Sequence, residues 1–371
     1  MHRKKILFIT PTGHKWGSEM FLWFLINDPN FNAKYDFRMI TLAKGNLMNN
    51  KFNPKISVVP SEKSKSVRLL KTLVRRLTKI DIDKLYIKKI HNSFTPDYWY
   101  LNTCTLPQIA EYAIALRVDY FVHFHELVSV YDSMKDYALK NMVTKAHGVI
   151  GCGQQVCDTI KILGGKKVFK IYEHVDLKSI QINEEYRNSL FEKHNIPKDK
   201  TLWMMSGKTS PRKGFDLFIE IAKKLKKSNN YFIWVGKQKD HGFNYYVKQN
   251  IASNKLTNVL LVESQNEHYY DYLSLGDFFL LTSREDPFPL VMIEAGYLGM
   301  PILAFPSGGA SEFIQSDTGY VAEGISVNEI VSKIKDIKDS GLQFKKEDCV
   351  KEAKKYDTSN LFLQFHDLFE R

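Results

Sequence analysis

Cysteine is scarce: Cys104, Cys152, Cys157 and Cys349 are the four in 371 residues, with no CxxC pair and no histidine nearby at metal-ligand spacing. That excludes a disulfide framework and a zinc site. Reduced, buried thiols of a cytosolic protein are expected. Long apolar runs are missing too. ILFIT, after Arg3-Lys4-Lys5, is far too short for a secretory h-region. No run approaches the roughly 20 residues of a membrane span. A soluble, cytoplasmic chain is the expectation. There is no low-complexity tract and no short repeat.

Acidic residues are short in one half only. Residues 1–175 hold 27 Lys and Arg against 14 Asp and Glu, a net of +13, so the remainder is close to neutral within the overall +12. Such asymmetry argues for two domains with different partners. The density peaks over residues 61–90, where Val67, Leu70, Val74, Leu77 and Ile80 fall near helical spacing among Arg68, Lys71, Arg75, Arg76 and Lys79. A basic amphipathic helix of this kind suits the inner face of an anionic plasma membrane. It suits equally a solvated helix whose apolar stripe packs on its own domain. Asp81 and Asp83, a metal-like pair, fall in this stretch and are expected to be solvated.

With 44% hydrophobic and 25% charged residues, the chain has the composition of a globular protein and the length of two domains. Apolar strand candidates at 4–10, 99–103, 120–124 and 148–152 are separated by helix-length segments. The rhythm repeats at 201–207, 232–236, 259–264, 277–283 and 301–305. Strands alternating with helices imply parallel, doubly wound sheets. An α/β protein of two Rossmann-like domains follows, residues 1–175 and 176–355. The amphipathic terminal segment 356–371 is free to pack back on the first domain.

In such sheets ligands gather at the carboxyl ends of strands, so the strand-to-helix turns are where chemistry is sought. In PTGHKWGSEM, Gly17 and Ser18 open a helix and offer N–H groups to an anion, or serve only the turn's steric needs. In MMSGKTSPRKGF, Lys208, Arg212 and Lys213 crowd three cations between Gly207 and Gly214. That suits a diphosphate or a solvated basic loop. FVHFHE places His125 and Glu126 at a strand end, with His123 expected on the opposite face. In SREDPFPLVMIEAG, Pro289 suits a helix's first turn, leaving the N–H groups of Leu290 and Val291 outward. Asp286 precedes that helix and Glu294 lies inside it, so the two meet different parts of an extended ligand rather than one metal. FPSGGASEF adds Gly308-Gly309 for close backbone approach ahead of Glu312.

In this order these stretches resemble the retaining glycosyltransferases of the GT-B fold, family 4 (glycosyl transferases group 1). The acid-x7-Glu hallmark is Asp286-x7-Glu294, and IYEHVDL (171–177) looks like that family's entry into its second domain. The resemblance implies two Rossmann-like domains facing across a cleft, with the acceptor on the first and the nucleotide sugar on the second. It implies catalytic roles for His125, Lys213, Asp286 and Arg212. Donor binding would fall to Gly17, Ser18, Lys208, Glu285, Phe288, Pro289, Leu290, Val291 and Glu294, the last on the ribose hydroxyls. The implied reaction is hexosyl or related transfer with retention, from a nucleotide-diphosphate sugar to a glycan or lipid-linked acceptor. It would serve bacterial cell-surface polysaccharide assembly without cofactor or metal, and nucleic acid is not an expected partner.

Three departures bear on which sugar is bound. Asp286 stands where glutamate is usual, so Glu285 competes for the sugar contact. Pro287 and Pro289 replace glycines, and Lys208 replaces an arginine whose fork Arg212 can supply. A nucleotide-sugar epimerase of the same fold and a non-catalytic subunit are the competing readings. Intact Lys213, Glu294 and His125 speak against the second.

Overall fold

The computed structural model describes residues 3–14, 17–45, 55–60, 66–67, 69, 72–73, 81–132, 134–238, 242–340 and 344–370. The chain divides into two compact units, Met1–Glu173 with Thr358–Arg371, and His174–Asp357.

The first unit is built on a seven-stranded parallel sheet. Its strands are β1 (Lys5–Thr10), β2 (Asp36–Thr41), β3 (Ile56–Val58), β4 (Tyr98–Leu101), β5 (Tyr120–Phe124), β6 (Gly148–Gly151) and β7 (Val168–Lys170). Their order is β3-β2-β1-β4-β5-β6-β7. The second unit carries six strands: β8 (Thr201–Ser206), β9 (Asn230–Val235), β10 (Val259–Val262), β11 (Phe278–Leu281), β12 (Ile302–Ala304) and β13 (Gly319–Val321). They run β10-β9-β8-β11-β12-β13. Every pairing in both sheets is parallel. Both are therefore Rossmann-like, doubly wound sheets. In each, the winding reverses beside the first strand, between β1 and β4 and between β8 and β11.

The central strands are apolar on both faces because helices cover both faces of a parallel sheet. β5 and β9 are buried along their whole length. That is why YFVHF and NYFIWV read as continuous runs. Strands β2, β3, β7 and β13 lack such runs. β2 carries Asp36 and Arg38, and the other three are three-residue edge strands.

The terminal helix Leu361–Glu370 inserts Leu361, Phe365, Leu368 and Phe369 into the core of the first unit, against Phe21, Phe31 and Phe37. Tyr35 anchors its polar side through His366 (2.8 Å) and Glu370 (3.1 Å).

Of the basic stretch 61–90, residues 61–65, 68, 70, 71 and 74–80 lie outside the described residues. Its end forms the helix Ile82–Phe94. Asp81 and Asp83 are not both solvated: Asp81 caps that helix by accepting from the Asp83 N–H at 3.0 Å, and Asp83 is buried. No group of His, Cys, Asp and Glu among the described residues is arranged to hold a metal. None of the described helices is long and apolar enough to cross a membrane. None of the four cysteines is in a disulfide, and all four are buried.

Candidate functional site

The loops after β8 and β11 are neighbours because these strands pair across the reversal point of the second sheet. Strand order diverges there and leaves the carboxyl ends uncovered, the usual ligand position in open α/β sheets. The two loops are tied together at several points. Arg284 donates twice to Asp216, both at 2.7 Å, and to the Pro211 carbonyl at 2.7 Å. Thr282 donates to the Lys213 carbonyl at 3.1 Å, and the Arg284 N–H to that of Arg212 at 2.8 Å. Gly214 has φ 67°, and a Cβ there would lie 1.8 Å from the Thr282 carbonyl oxygen. Only glycine permits that approach.

This frame brings Arg212, Lys213 and Asp286 together. Asp286 is buried, and Lys213 donates to its Oδ2. Ser283 donates to the same oxygen at 3.1 Å. Arg212 reaches Oδ1 at 3.5 Å and the Glu285 carbonyl at 2.8 Å. Burial pushes the Asp286 carboxyl up, but Lys213 and then Arg212 outweigh it and hold its pKa below the ordinary carboxylate value. Lys208, at the far end of the same loop, is exposed.

The helix Leu290–Tyr297 starts beside this cluster. Pro289 is its N-cap and offers no side-chain cap, so the N–H groups of Leu290 and Val291 have no partner within the helix. One turn further in, Glu294 accepts from Tyr269 at 3.0 Å and Tyr270 at 3.2 Å, and the Ser206 hydroxyl, 3.0 Å from that of Tyr269, donates to it. Burial raises the Glu294 carboxyl, and the two hydroxyls offset it only in part. Asp286 and Glu294 thus have separate surroundings, one cationic and one phenolic.

Phe288 is turned inward, 3% exposed, against Phe313 and Tyr356. Its side chain packs the core of the unit, leaving its backbone to face the loop. Gly308-Gly309 permit a close approach, but to this loop. A Cβ on Gly308 (φ 54°) would lie 1.9 Å from the Asp286 carbonyl oxygen, and one on Gly309 would lie 2.1 Å from the Phe288 ring.

The first unit gathers its own polar cluster at its reversal point, from the ends of β1, β4 and β5. Glu19, in the helix Gly17–Asn27, is buried and accepts from Thr10 at 3.1 Å and Ser18 at 2.9 Å. Gly17 itself is exposed. Asn102 donates to the Ser18 carbonyl at 2.9 Å. His125 meets Glu173 through Nδ1 and the Asn102 Oδ1 through Nε2 at 3.1 Å. Glu126 turns back to accept from the N–H groups of His125 (2.9 Å) and Cys104 (3.4 Å).

His123 and His125 do not point to opposite faces. Their ring centroids are 3.9 Å apart. Residues two apart on a strand share a face, and that periodicity governs here. Burial, and then the His125 charge, push His123 well below its usual value. Burial opposes charge on His125 as well, but Glu173, Glu126 and Glu19 outweigh it and raise its pKa. Sequence reasoning had no means to find Asn102, Glu173, Ser283 or the Tyr269–Tyr270 pair. Glu173 stood in the quoted IYEHVDL segment, but its partner is 48 residues away.

Residues 187–356, which carry the Asp286 cluster, match the family model of glycosyl transferases group 1. Over 159 residues the chain is 29% identical to the lipopolysaccharide 1,2-N-acetylglucosaminetransferase of Salmonella typhimurium, covering 40% of this chain and 42% of that protein. It is 25% identical over 177 residues to the putative teichuronic acid biosynthesis glycosyltransferase TuaC of Bacillus subtilis, covering 47% and 42%. The chain thus spans 42% of the length of each of these curated relatives. Among solved structures, Anabaena Alr3699/HepE in complex with UDP superposes with a TM-score of 0.78 at 19% identity over 99% of both chains. Sucrose-phosphate synthase from Thermosynechococcus elongatus superposes with a TM-score of 0.76 at 16% identity, over 99% of this chain and 98% of that one. At such identities the likeness establishes the fold: two parallel-sheet Rossmann-like domains of the GT-B kind.

Proposed function

We propose that this protein is a metal-independent glycosyltransferase of family 4. It moves a hexosyl or related sugar from a nucleotide-diphosphate sugar to a glycan or lipid-linked acceptor, with retention of anomeric configuration. The observation that carries the reading is the convergence of Arg212 and Lys213 on Asp286 at the reversal point of the second sheet, beside the uncapped start of Leu290–Tyr297. Two cations and outward N–H groups at one strand edge form a receptor for a diphosphate, and the same groups stabilise it as a leaving group.

In this reading the second unit takes the donor. Lys213 and Arg212, with Lys208, neutralise the diphosphate. Leu290 and Val291 donate to it, and Glu294 accepts from the ribose hydroxyls. Asp286 orients the two cations, and either it or Glu285 reads the transferred sugar. The first unit takes the acceptor, and His125, Gly17 and Ser18 serve the reacting groups from its side. Departure of the diphosphate is helped by cations already aligned before reaction, so little reorganisation accompanies the transition state. The acid-x7-Glu pattern supports retention. Relatives that act in lipopolysaccharide and teichuronic acid assembly support a cell-surface polysaccharide acceptor. The site of action proposed is the cytoplasmic face of the membrane, with the basic stretch 61–90 as the surface contact. HepE structures with UDP and UDP-glucose put uridine donors first in any screen.

Thermal melts across nucleoside diphosphates and their sugars test the reading, because a ligand that binds the native state raises Tm by mass action. One diphosphate series should raise Tm in a concentration-dependent way. No shift with any of them at millimolar concentration would overturn the assignment. NMR of the first-formed product then reads the anomeric configuration.

A further inference from the structure

The hydrogen bonds of His125 define its protonation state. Asn102 Nδ2 donates to the Ser18 carbonyl at 2.9 Å and lies 3.5 Å from Thr10 Oγ1. A flipped amide would set Oδ1 against that carbonyl, two acceptors with no proton between them. Oδ1 therefore faces the ring, and His125 Nε2, 3.1 Å away, must be a donor. On the other side Nδ1 faces the Glu173 carboxyl; burial opposes charge on the ring, but Glu173, then Glu126 and Glu19, outweigh it and favour the proton on Nδ1. A ring with an acceptor at each nitrogen carries two protons.

Glu173 lies beside the ring with no other charge to meet among the described residues. It is 6% exposed, and its Oε2 is buried with no partner among the described residues. Among the described residues its one ion-pair partner is His125, and removing one partner of such a buried pair is costly. The other titratable groups facing the ring are His123 on β5, Glu126 after β5 and Glu19 from Gly17–Asn27. His123, with Nδ1 at 2.7 Å from the Tyr100 hydroxyl, is neutral. Two imidazolium rings 3.9 Å apart in a buried site would repel strongly.

We propose that Glu173 and Asn102 are positioning residues that hold His125 as an imidazolium with both ring N–H groups committed. His125 then enters the reaction as a fixed positive charge and not as a proton acceptor. This role rests on the transfer reading above; the protonation state does not. A proton acceptor at this position would need a free ring nitrogen, and both are bound. A fixed cation suits a reaction in which negative charge builds on a departing diphosphate.

The test is an NMR titration of the histidine rings in the full chain, with the His125 signal identified by its loss in His125→Gln. In the wild type the ring should stay protonated at pH 7. In Glu173→Gln, which keeps the shape and removes the charge, its midpoint should fall by about one to two pH units. Asn102→Asp, which sets a second carboxylate at Nε2 at the cost of the hydrogen bond to the Ser18 carbonyl, should raise it in the folded protein. If Glu173→Gln or Asn102→Asp fails to fold, the wild-type titration alone decides. A neutral His125 at pH 7, or a midpoint unmoved in a folded Glu173→Gln, overturns the inference. With an active donor in hand, the basic limb of the kcat/KM profile should move down in Glu173→Gln by the same amount as the midpoint. A basic limb that stays in place would overturn the role as a fixed charge. Absence of turnover with every donor would instead count against the transfer reading and leave the titration result standing.

Discussion

Lys213 and Asp286 stand 73 residues apart in the chain and form an ion pair in the second unit, with Lys213 donating to Oδ2. Their strands, β8 and β11, are hydrogen-bonded neighbours, so the loops that follow must meet. The carboxylate is buried and the lysine nearly so, with side-chain exposures of 8% and 15%. Asp286 thereby fixes the lysine that the proposed reaction needs at the donor.

Lys213→Ala should abolish transfer, a loss of a hundredfold or more in kcat/KM, and should also lower Tm. The stability loss follows from leaving a buried carboxylate short of its main partner, an effect of about 1–3 kcal/mol with Arg212 and Ser283 still in place. Adding Asp286→Asn should restore Tm without restoring turnover. Paired melts and rate assays of the single and double variants check this. Near-normal turnover in Lys213→Ala would sink the role given to the lysine.

Acid should weaken the same cluster. The Asp286 pKa is lower in the folded chain than the usual carboxylate value of about 3.9. The folded state thus binds this proton less readily than the unfolded one. The stabilisation is complete above that usual value and is lost as pH falls through the lower, folded one. Tm measured from pH 6 down to pH 3 should drop less steeply in Asp286→Asn than in the wild type. Parallel curves would show that Asp286 plays no part in acid sensitivity.

Glu294 should behave in the opposite way. Its folded pKa is raised by burial, so its ionised form is disfavoured in the native state at neutral pH. Glu294→Gln removes the buried charge and keeps an oxygen for one of the two tyrosine hydroxyls, the other turning to accept from the amide, so Tm at pH 7 should rise. Affinity for the donor should fall about tenfold, the worth of a hydrogen bond to a charged acceptor. Calorimetric titration with the diphosphate found in the melts reads the second effect; unchanged affinity would remove Glu294 from the ribose contact.

Gly308→Ala should disturb the site from outside it. The added Cβ would meet the Asp286 carbonyl at 1.9 Å, at a φ of 54° that side chains rarely adopt. A cost of about 1–3 kcal/mol is expected, together with a larger fall in turnover than the fall in stability explains. Gly324→Ala, with open space around its Cβ, is the control.

The basic stretch 61–90 should bind anionic vesicles in a salt-dependent way, since each cation near such a surface contributes about 1 kcal/mol. Cosedimentation at low and high salt reads it. Arg75→Glu with Arg76→Glu should lower the bound fraction, and binding absent at low salt would remove the membrane contact proposed for this stretch.

Sequence alone determined the class of fold. Strands buried on both faces must be apolar throughout, so nine of the thirteen strands among the described residues could be read directly. It also determined which residue types stand at strand ends: Arg212 and Lys213 after one strand, Asp286 before a helix that carries Glu294. The short edges β3, β7 and β13 escaped notice because an edge strand of three residues buries too little to leave a pattern. Who meets whom was decided only by tertiary structure. The order β10-β9-β8-β11 sets Lys213 against Asp286, and the side-by-side placement of β1, β4 and β5 sets Asn102 against His125. The Glu173–His125 pair, the inward turn of Phe288 and the shared face of His123 and His125 belong to the same level. Hydrogen bonds and ion pairs act over a few ångströms, and only the folded sheets bring such distant positions within that range.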